Sequence, residues 1–179
     1  MNTKMILYII FAAIISFLAF GLYQANKLTH IEITKQVTID GSQQEVFDMV
    51  KYLNNYPKWS PFLEQDPEQK HEVKGKDGEV GVQFHWDGNG GKDLGYQEIV
   101  KIDEPTFVGV RCTIEKPFKA QPTFDYSFAS SSRGTLLTQD FEVESGIVDA
   151  FFMWIFGAKK EMAQINERGL TLLKNYVEK

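Results

Sequence analysis

The sequence is poor in the residues on which most metal and catalytic chemistry depends. Its 179 residues include one cysteine, Cys112. A lone cysteine excludes an intramolecular disulfide and any metal site built on paired thiolates. Histidine is almost as scarce. His30, His71 and His85 lack the His-x-x-x-His spacing, and no cysteine stands near them to complete a metal centre. There is no Gly-x-Ser-x-Gly elbow. Gly88, Gly90 and Gly91 crowd together without the strand-to-helix setting of a phosphate loop. Clustered positive charge is missing as well. Of 19 basic residues, Lys4 and Lys27 flank an N-terminal apolar run, which leaves 17 against 24 acidic ones in the rest of the chain. An acidic body without a Lys/Arg patch is a poor partner for nucleic acid. Internal repeats and low-complexity tracts are also absent. The expectation is therefore no catalytic set, no metal and no cofactor.

One stretch lacks charge altogether. Residues 5–23 read MILYIIFAAIISFLAFGLY. At about 1.5 Å per residue such a helix comes close to the ~30 Å of a bilayer core. Tyr8 and Tyr23 stand near its ends, where amphipathic rings are favoured. A cleaved secretory signal is the rival reading, because Ala19-Phe20-Gly21 fits a small-x-small cleavage pattern. The apolar run is longer than the ~7–15 residues usual in a signal, which favours an uncleaved anchor. Lys4 and Lys27 flank it almost symmetrically, so charge does not tell which side of the membrane the rest of the chain occupies. Residues 1–28 are read as a membrane anchor and residues 29–179 as one domain.

What is present in that domain is order. Ile31, Ile33, Val37 and Ile39 suit a first strand. Ser42-Gln43-Gln44-Glu45 then forms a helix-capping pattern, and Val46, Phe47, Val50 and Leu53 give one apolar helical face. Asn54-Asn55-Tyr56-Pro57 ends that helix, and Ser60-Pro61 starts a second, short one. Alternating strands follow around residues 79–86, 108–114, 124–128 and 137–143, with glycine turns between them. A final helix is predicted over residues 147–177. Met162, Asn166, Gly169, Leu173 and Tyr176 lie on one stripe of it. Gly169 costs about 1 kcal/mol of helix propensity relative to alanine, and close approach to the sheet would explain it.

These marks in this order resemble the START-like (SRPBCC) superfamily, in particular its polyketide cyclase/dehydrase and lipid-transport branch. The resemblance rests on the first strand running into residues 42–53, on Trp59-Ser60-Pro61-Phe62, and on Gly95 opening a strand that ends at Glu104-Pro105. It rests also on Lys116-Pro117-Phe118, on the hairpin from Phe128 to Gly134-Thr135, and on Glu167-Arg168-Gly169-Leu170. It implies an α+β helix-grip fold, in which a curved antiparallel sheet wraps a long C-terminal helix around an apolar cavity. It does not by itself fix a function.

Such a cavity would be lined by Trp59, Phe62, Phe84, Trp86, Tyr126, Phe128 and Met162, with Gln139 and Asn166 as polar groups. Gln139 interrupts the apolar face of Leu137, Phe141 and Val143, and Asn166 breaks the helical stripe in the same way. A buried amide without a partner costs on the order of 1–3 kcal/mol, so each needs a protein group, a water or a ligand. For the aromatic residues, plain core packing is the competing reading. Residues 148–156, VDAFFMWIF, are apolar around much of a helix, so they either close the open end of the fold or rest on lipid. The leading functional reading is a membrane-anchored module binding a hydrophobic small molecule or lipid. The alternatives are a cyclase/dehydrase-like enzyme using the same cavity and a protein-interaction scaffold with a filled one.

Overall fold

The computed structural model describes residues 2–179. An N-terminal helix, α1 (Thr3–Ala25), leads into β1 (His30–Ile39). Two short helices follow, α2 (Gln43–Lys51) and α3 (Pro61–Gln65), joined by a 3₁₀ turn over Leu53–Lys58. The strands β2 (Lys70–Lys74), β3 (Gln83–Gly88), β4 (Asp93–Asp103), β5 (Phe107–Lys116), β6 (Thr123–Ser131) and β7 (Gly134–Glu144) then run in succession. The chain ends with α4 (Ile147–Phe156) and α5 (Ala158–Val177). All seven strands join one antiparallel sheet in the order β1-β7-β6-β5-β4-β3-β2. This is the helix-grip α+β fold.

Local sequence sets the early elements. The Ser42 hydroxyl accepts from the Glu45 amide at 3.2 Å and opens α2. The Ser60 hydroxyl accepts from the Leu63 amide at 3.3 Å and opens α3, with Pro61 in its first turn where no amide is needed. Period-two alternation sets the strands. In β7, Thr135, Leu137, Gln139, Phe141 and Val143 all turn inward and are buried. Across the ladder Leu137 meets Val37 and Phe141 meets Ile33, so two strands press one apolar face on the helix above.

The core has two parts. Leu170 and Leu173 of α5 pack among Val46, Phe47, Val50 and Leu53, over Val108 and Leu137 of the sheet. Each fully buried side chain of this size contributes about 1.5–3 kcal/mol. Nearer the other end of α5, Met162 and Ala163 pack on a smaller cluster of Ile31, Ile33, Phe141 and Val143. Ion pairs tie α5 down at its edges. Arg168 grips Glu64 of α3 with two nitrogens, and Lys35 of β1 reaches Glu167 at 2.7 Å.

Three expectations need correction. The C-terminal helix is two helices, because Gly157 takes a left-handed backbone (φ 68°) and turns the chain between α4 and α5. The strand expected from residue 79 begins only at Gln83; Gly78 and Gly81 adopt positive φ, and Val80 lies in the turn, 60% exposed. Gly169 approaches Pro61 of α3 rather than the sheet. A β-carbon there would meet the proline ring at 3.5 Å, which is ordinary contact. Gly169→Ala is therefore expected to raise stability by about 0.5–1 kcal/mol through helix propensity. Denaturant unfolding checks this; a loss of stability would mean that the contact with Pro61 has no slack.

Candidate functional site: an apolar cavity with two unpartnered amide atoms

Between the two parts of the core, α5 does not reach the sheet. A cavity of about 230 Å³ remains there. Trp59, Pro61 and Phe62 border it from the α3 side, and Met162, Ile165, Asn166 and Gly169 from α5. The sheet supplies Phe84 and Trp86 from β3, Gln97 from β4, Cys112 and Ile114 from β5, Phe124 and Tyr126 from β6, and Gln139, Phe141 and Val143 from β7. Met153 of α4, Asp93 of β4 and Phe118, in the β5–β6 connection, also border it. Phe62 and Phe118 are its well-exposed members, so they mark the rim. The volume is slightly under the ~300–1,000 Å³ usual for small-molecule sites, and the lining is mostly apolar, as in such sites.

Protein contacts already occupy several of the polar tips. The Trp59 indole donates to the Met49 carbonyl at 3.1 Å, and its ring meets Tyr56 edge-on at 4.9 Å. Trp59 therefore offers the cavity only apolar surface. The Trp86 indole donates to the Asp93 carboxylate at 3.1 Å, and room for its ring comes from Gly95 opposite, where a β-carbon would lie 2.5 Å from the indole. Gln139 and Tyr126 face one another on paired strands, and the Gln139 amide nitrogen donates to the Tyr126 hydroxyl at 3.0 Å.

Among the described residues, two fully buried side-chain polar atoms have no partner. The Gln139 side-chain oxygen and the Asn166 side-chain nitrogen are fully buried without a hydrogen bond. One is an acceptor lacking a donor, and the other a donor lacking an acceptor. Both residues border the cavity and are 5% and 6% exposed. Their partners would have to be one donor and one acceptor.

The tyrosines and the cysteine at the cavity border are neutral near pH 7. Burial pushes the Tyr126 and Tyr56 hydroxyls far above the ordinary phenol value. Burial likewise pushes the Cys112 thiol up to about 12, which removes the thiolate needed for nucleophilic attack near pH 7. His71 and His85 lie outside the cavity border. His71 stacks on Phe84 with ring centres 5.3 Å apart, and His85 stacks on Tyr96 at 5.1 Å.

The structure brings eight of the nine residues expected from the sequence to the cavity border. The exception is Phe128. It shares a face with Tyr126, but two residues further along β6 that face lies under α2, where Phe128 packs edge-on against Phe47 at 5.4 Å. Sequence reading missed Cys112, although its alternation with Val108 and Val110 pointed inward. It also missed Asp93, whose glycine-rich surroundings gave no directional signal. One histidine–carboxylate group, His30 with Glu142 and Glu144, lies at the far edge of the sheet. All three are exposed, and His30 already bonds Glu32 at 2.9 Å.

Comparison with known proteins follows the same lines. The family described as polyketide cyclase / dehydrase and lipid transport matches residues 30–178. Among curated proteins no match is found. Solved structures share the fold at low identity. A protein from Rhizobium leguminosarum superposes with a TM-score of 0.59 at 13% identity, covering 83% of this chain and 95% of its own. Ara h 8.0201 gives 0.59 at 13%, covering 83% and 97%. The di-domain ARO/CYC StfQ from the steffimycin biosynthetic pathway gives 0.59 at 12%, with 83% of this chain covering 51% of that one.

The Gln139–Tyr126 pair generates a double-mutant test. Gln139→Leu removes the unpartnered oxygen but strands the Tyr126 hydroxyl, so the single variant should stay near wild-type stability. Adding Tyr126→Phe removes both polar ends and should leave the protein more stable than wild type by about 1–3 kcal/mol. Denaturant titration of the four proteins reads this directly. A double variant less stable than the wild type would mean that the Gln139 oxygen is satisfied within the protein.

Proposed function

The chain belongs to the polyketide cyclase / dehydrase and lipid transport family, and from that premise we propose that it is a membrane-anchored module that binds a hydrophobic small molecule or lipid. The ligand occupies the cavity between α5 and the sheet. Its apolar body lies against Phe84, Phe124, Phe141 and Met162, and its polar end meets Gln139 and Asn166. The observation that carries this reading is an unpartnered buried acceptor on Gln139 and an unpartnered buried donor on Asn166, two residues that border a mostly apolar hole. Without a partner, each buried atom leaves on the order of 1–3 kcal/mol of desolvation uncompensated, and a ligand that bonds both recovers it. A cavity of about 230 Å³ suits a single chain or a small ring system better than a two-chain lipid.

Residues 1–28 form the anchor in this proposal, and residues 29–179 the binding domain. Helix α1 is long and apolar enough to cross a membrane. Gly21 and Ala25 are buried against the rest of the chain, and a β-carbon on Gly21 would collide with Phe151. Cleavage after Gly21 would leave Phe151 and Trp154 uncovered, which favours retention of the helix.

The runner-up is an enzyme of the cyclase/dehydrase kind, with Asp93 as the observation in its favour. That carboxylate stands at the cavity border, bound to the Trp86 indole. A neutral amide does not act as a general base near pH 7, and the buried tyrosines and cysteine stay protonated there. Asp93 is thus the carboxylate at the border to which such a reading assigns the base.

The test compares two occupants of equal chain length, one with a hydroxyl or carboxamide head and one a plain hydrocarbon, each displacing a fluorescent acyl probe. The wild-type protein should prefer the polar-headed compound. In Gln139→Leu and Asn166→Leu that preference should fall about 5–10-fold, the effect of a hydrogen bond of about 1 kcal/mol, with hydrocarbon affinity retained. Equal affinities for both compounds in the wild type would make the amides structural. Turnover lost in Asp93→Asn with binding intact would favour the enzyme.

A further inference from the structure

Helix α4 has a composition that water does not favour. From Ala150 to Ala158 it carries no charge, and Val148, Phe152, Ile155 and Phe156 are 65%, 52%, 45% and 72% exposed. Its one charged residue, Asp149, lies in the first turn, beside the end of the sheet. The opposite face of α4 packs on α1. Trp154 meets Phe17 of α1 at a tilt and Phe20 edge-on, each at 5.7 Å, Phe17 meets Phe151 edge-on at 6.4 Å, and the Gly21 backbone admits the Phe151 ring. Gly21 and Ala25 make a small-xxx-small stripe, the pattern by which apolar helices approach closely within a bilayer.

These contacts fix the depth of α4 relative to α1. They involve only residues 17–25, so α4 lies within about 12 Å of the end of α1 that enters the domain, less than one leaflet of a ~30 Å core. A shallow groove gathers Leu28, just past α1, with Gly157, Lys159 and Lys160. The two lysines are therefore level with the end of the span, where lipid headgroups lie. Lys27 sits over the Tyr23 ring at 4.3 Å in the same zone. At the rim of the cavity, exposed Phe118 stands between Lys116 and Lys119. Lys27, Lys116, Lys119, Lys159 and Lys160 thus stand around this exposed apolar surface, with Asp149, Glu115 and Glu161 as its neighbouring acids, and the excess of lysine suits anionic headgroups. Met153 links the two regions, because it belongs to α4 and also borders the cavity.

Resting on the reading of α1 as an anchor, we propose that α4 lies in the interfacial layer of the leaflet that α1 enters from the domain, and that the cavity opens onto that leaflet past Phe118, Met153 and Met162. The occupant of the exposed α4 face is lipid, and the ligand reaches the cavity from the bilayer without crossing water. Continuity carries the assignment: one apolar surface runs from the lipid-facing side of α1 across α4 to the cavity rim.

Nitroxide accessibility tests this on the full-length chain in phosphatidylcholine–phosphatidylglycerol vesicles. Buried Cys112 resists a bulky thiol reagent, and the unsubstituted chain serves as the labelling blank. Labels go on Phe152→Cys and Phe156→Cys of α4, on Ile10→Cys near the middle of α1, and on Lys76→Cys at an exposed turn. The α4 labels should collide more often with oxygen than with a polar nickel complex, at a depth between those of the other two. Val148→Cys provides a third α4 site if either aromatic variant folds poorly. A lipid-exposed label at Ile10 with water-exposed labels on α4 overturns the proposal and leaves the anchor standing. A water-exposed label at Ile10 overturns both. Protection from both reagents, with spin–spin broadening, would place a second copy of the chain on α4 and also overturn it.

Discussion

One packing mismatch governs this protein: a single helix cannot fill the hollow of a seven-stranded curved sheet. Where α5 carries Leu170 and Leu173, and α2 adds Val46 and Phe47, the hollow is closed by side chains at core density. One turn toward the start of α5 the filling stops. There the helix presents Asn166 and Gly169, a short amide and no side chain, and Gly169 faces Pro61 of α3. The ion pairs of Arg168 with Glu64 and Lys35 with Glu167 keep α5 at this height. Each such surface pair is weak, about 0–1 kcal/mol, so buried apolar contact carries most of the holding energy.

The gap has consequences for chemistry. Its walls come from five strands, so they are rigid, and the low-dielectric surroundings keep tyrosine and cysteine protonated. Such a space favours neutral, shape-matched ligands over ionic ones. The unpartnered atoms of Gln139 and Asn166 add direction to an otherwise non-directional site. They are conspicuous because buried polar atoms in proteins are nearly always satisfied. The second consequence lies at the open end. The hollow is not closed by the domain's own polar surface there but meets α4, whose outer face is as apolar as the core.

Much of the fold was legible, and the reasons are specific. Strands β5, β6 and β7 could be read because one face of each is buried and the other wet, so alternation survives in the sequence. Strand β2 could not, because Lys-His-Glu-Val-Lys lies at a sheet edge with little burial and no alternation to display. The break at Gly157 was invisible because the apolar residues of α4 continue the pattern of α5 across it. A positive φ at one glycine leaves no periodic trace. Gln139 and Asn166 stood out as polar residues on apolar stripes. Phe128 was misplaced because alternation gives the face of a strand and not the position along it. The roof over that face changes from cavity to α2 within two residues.

Native mass spectrometry of the full-length chain, purified in mild detergent from the cells that express it, tests the central claim most directly. The account predicts a population carrying one neutral, mostly apolar molecule per chain, with occupancy reduced when Gln139 and Asn166 are both replaced by leucine. A bare mass in every preparation, with an unchanged spectrum for the double variant, would contradict it.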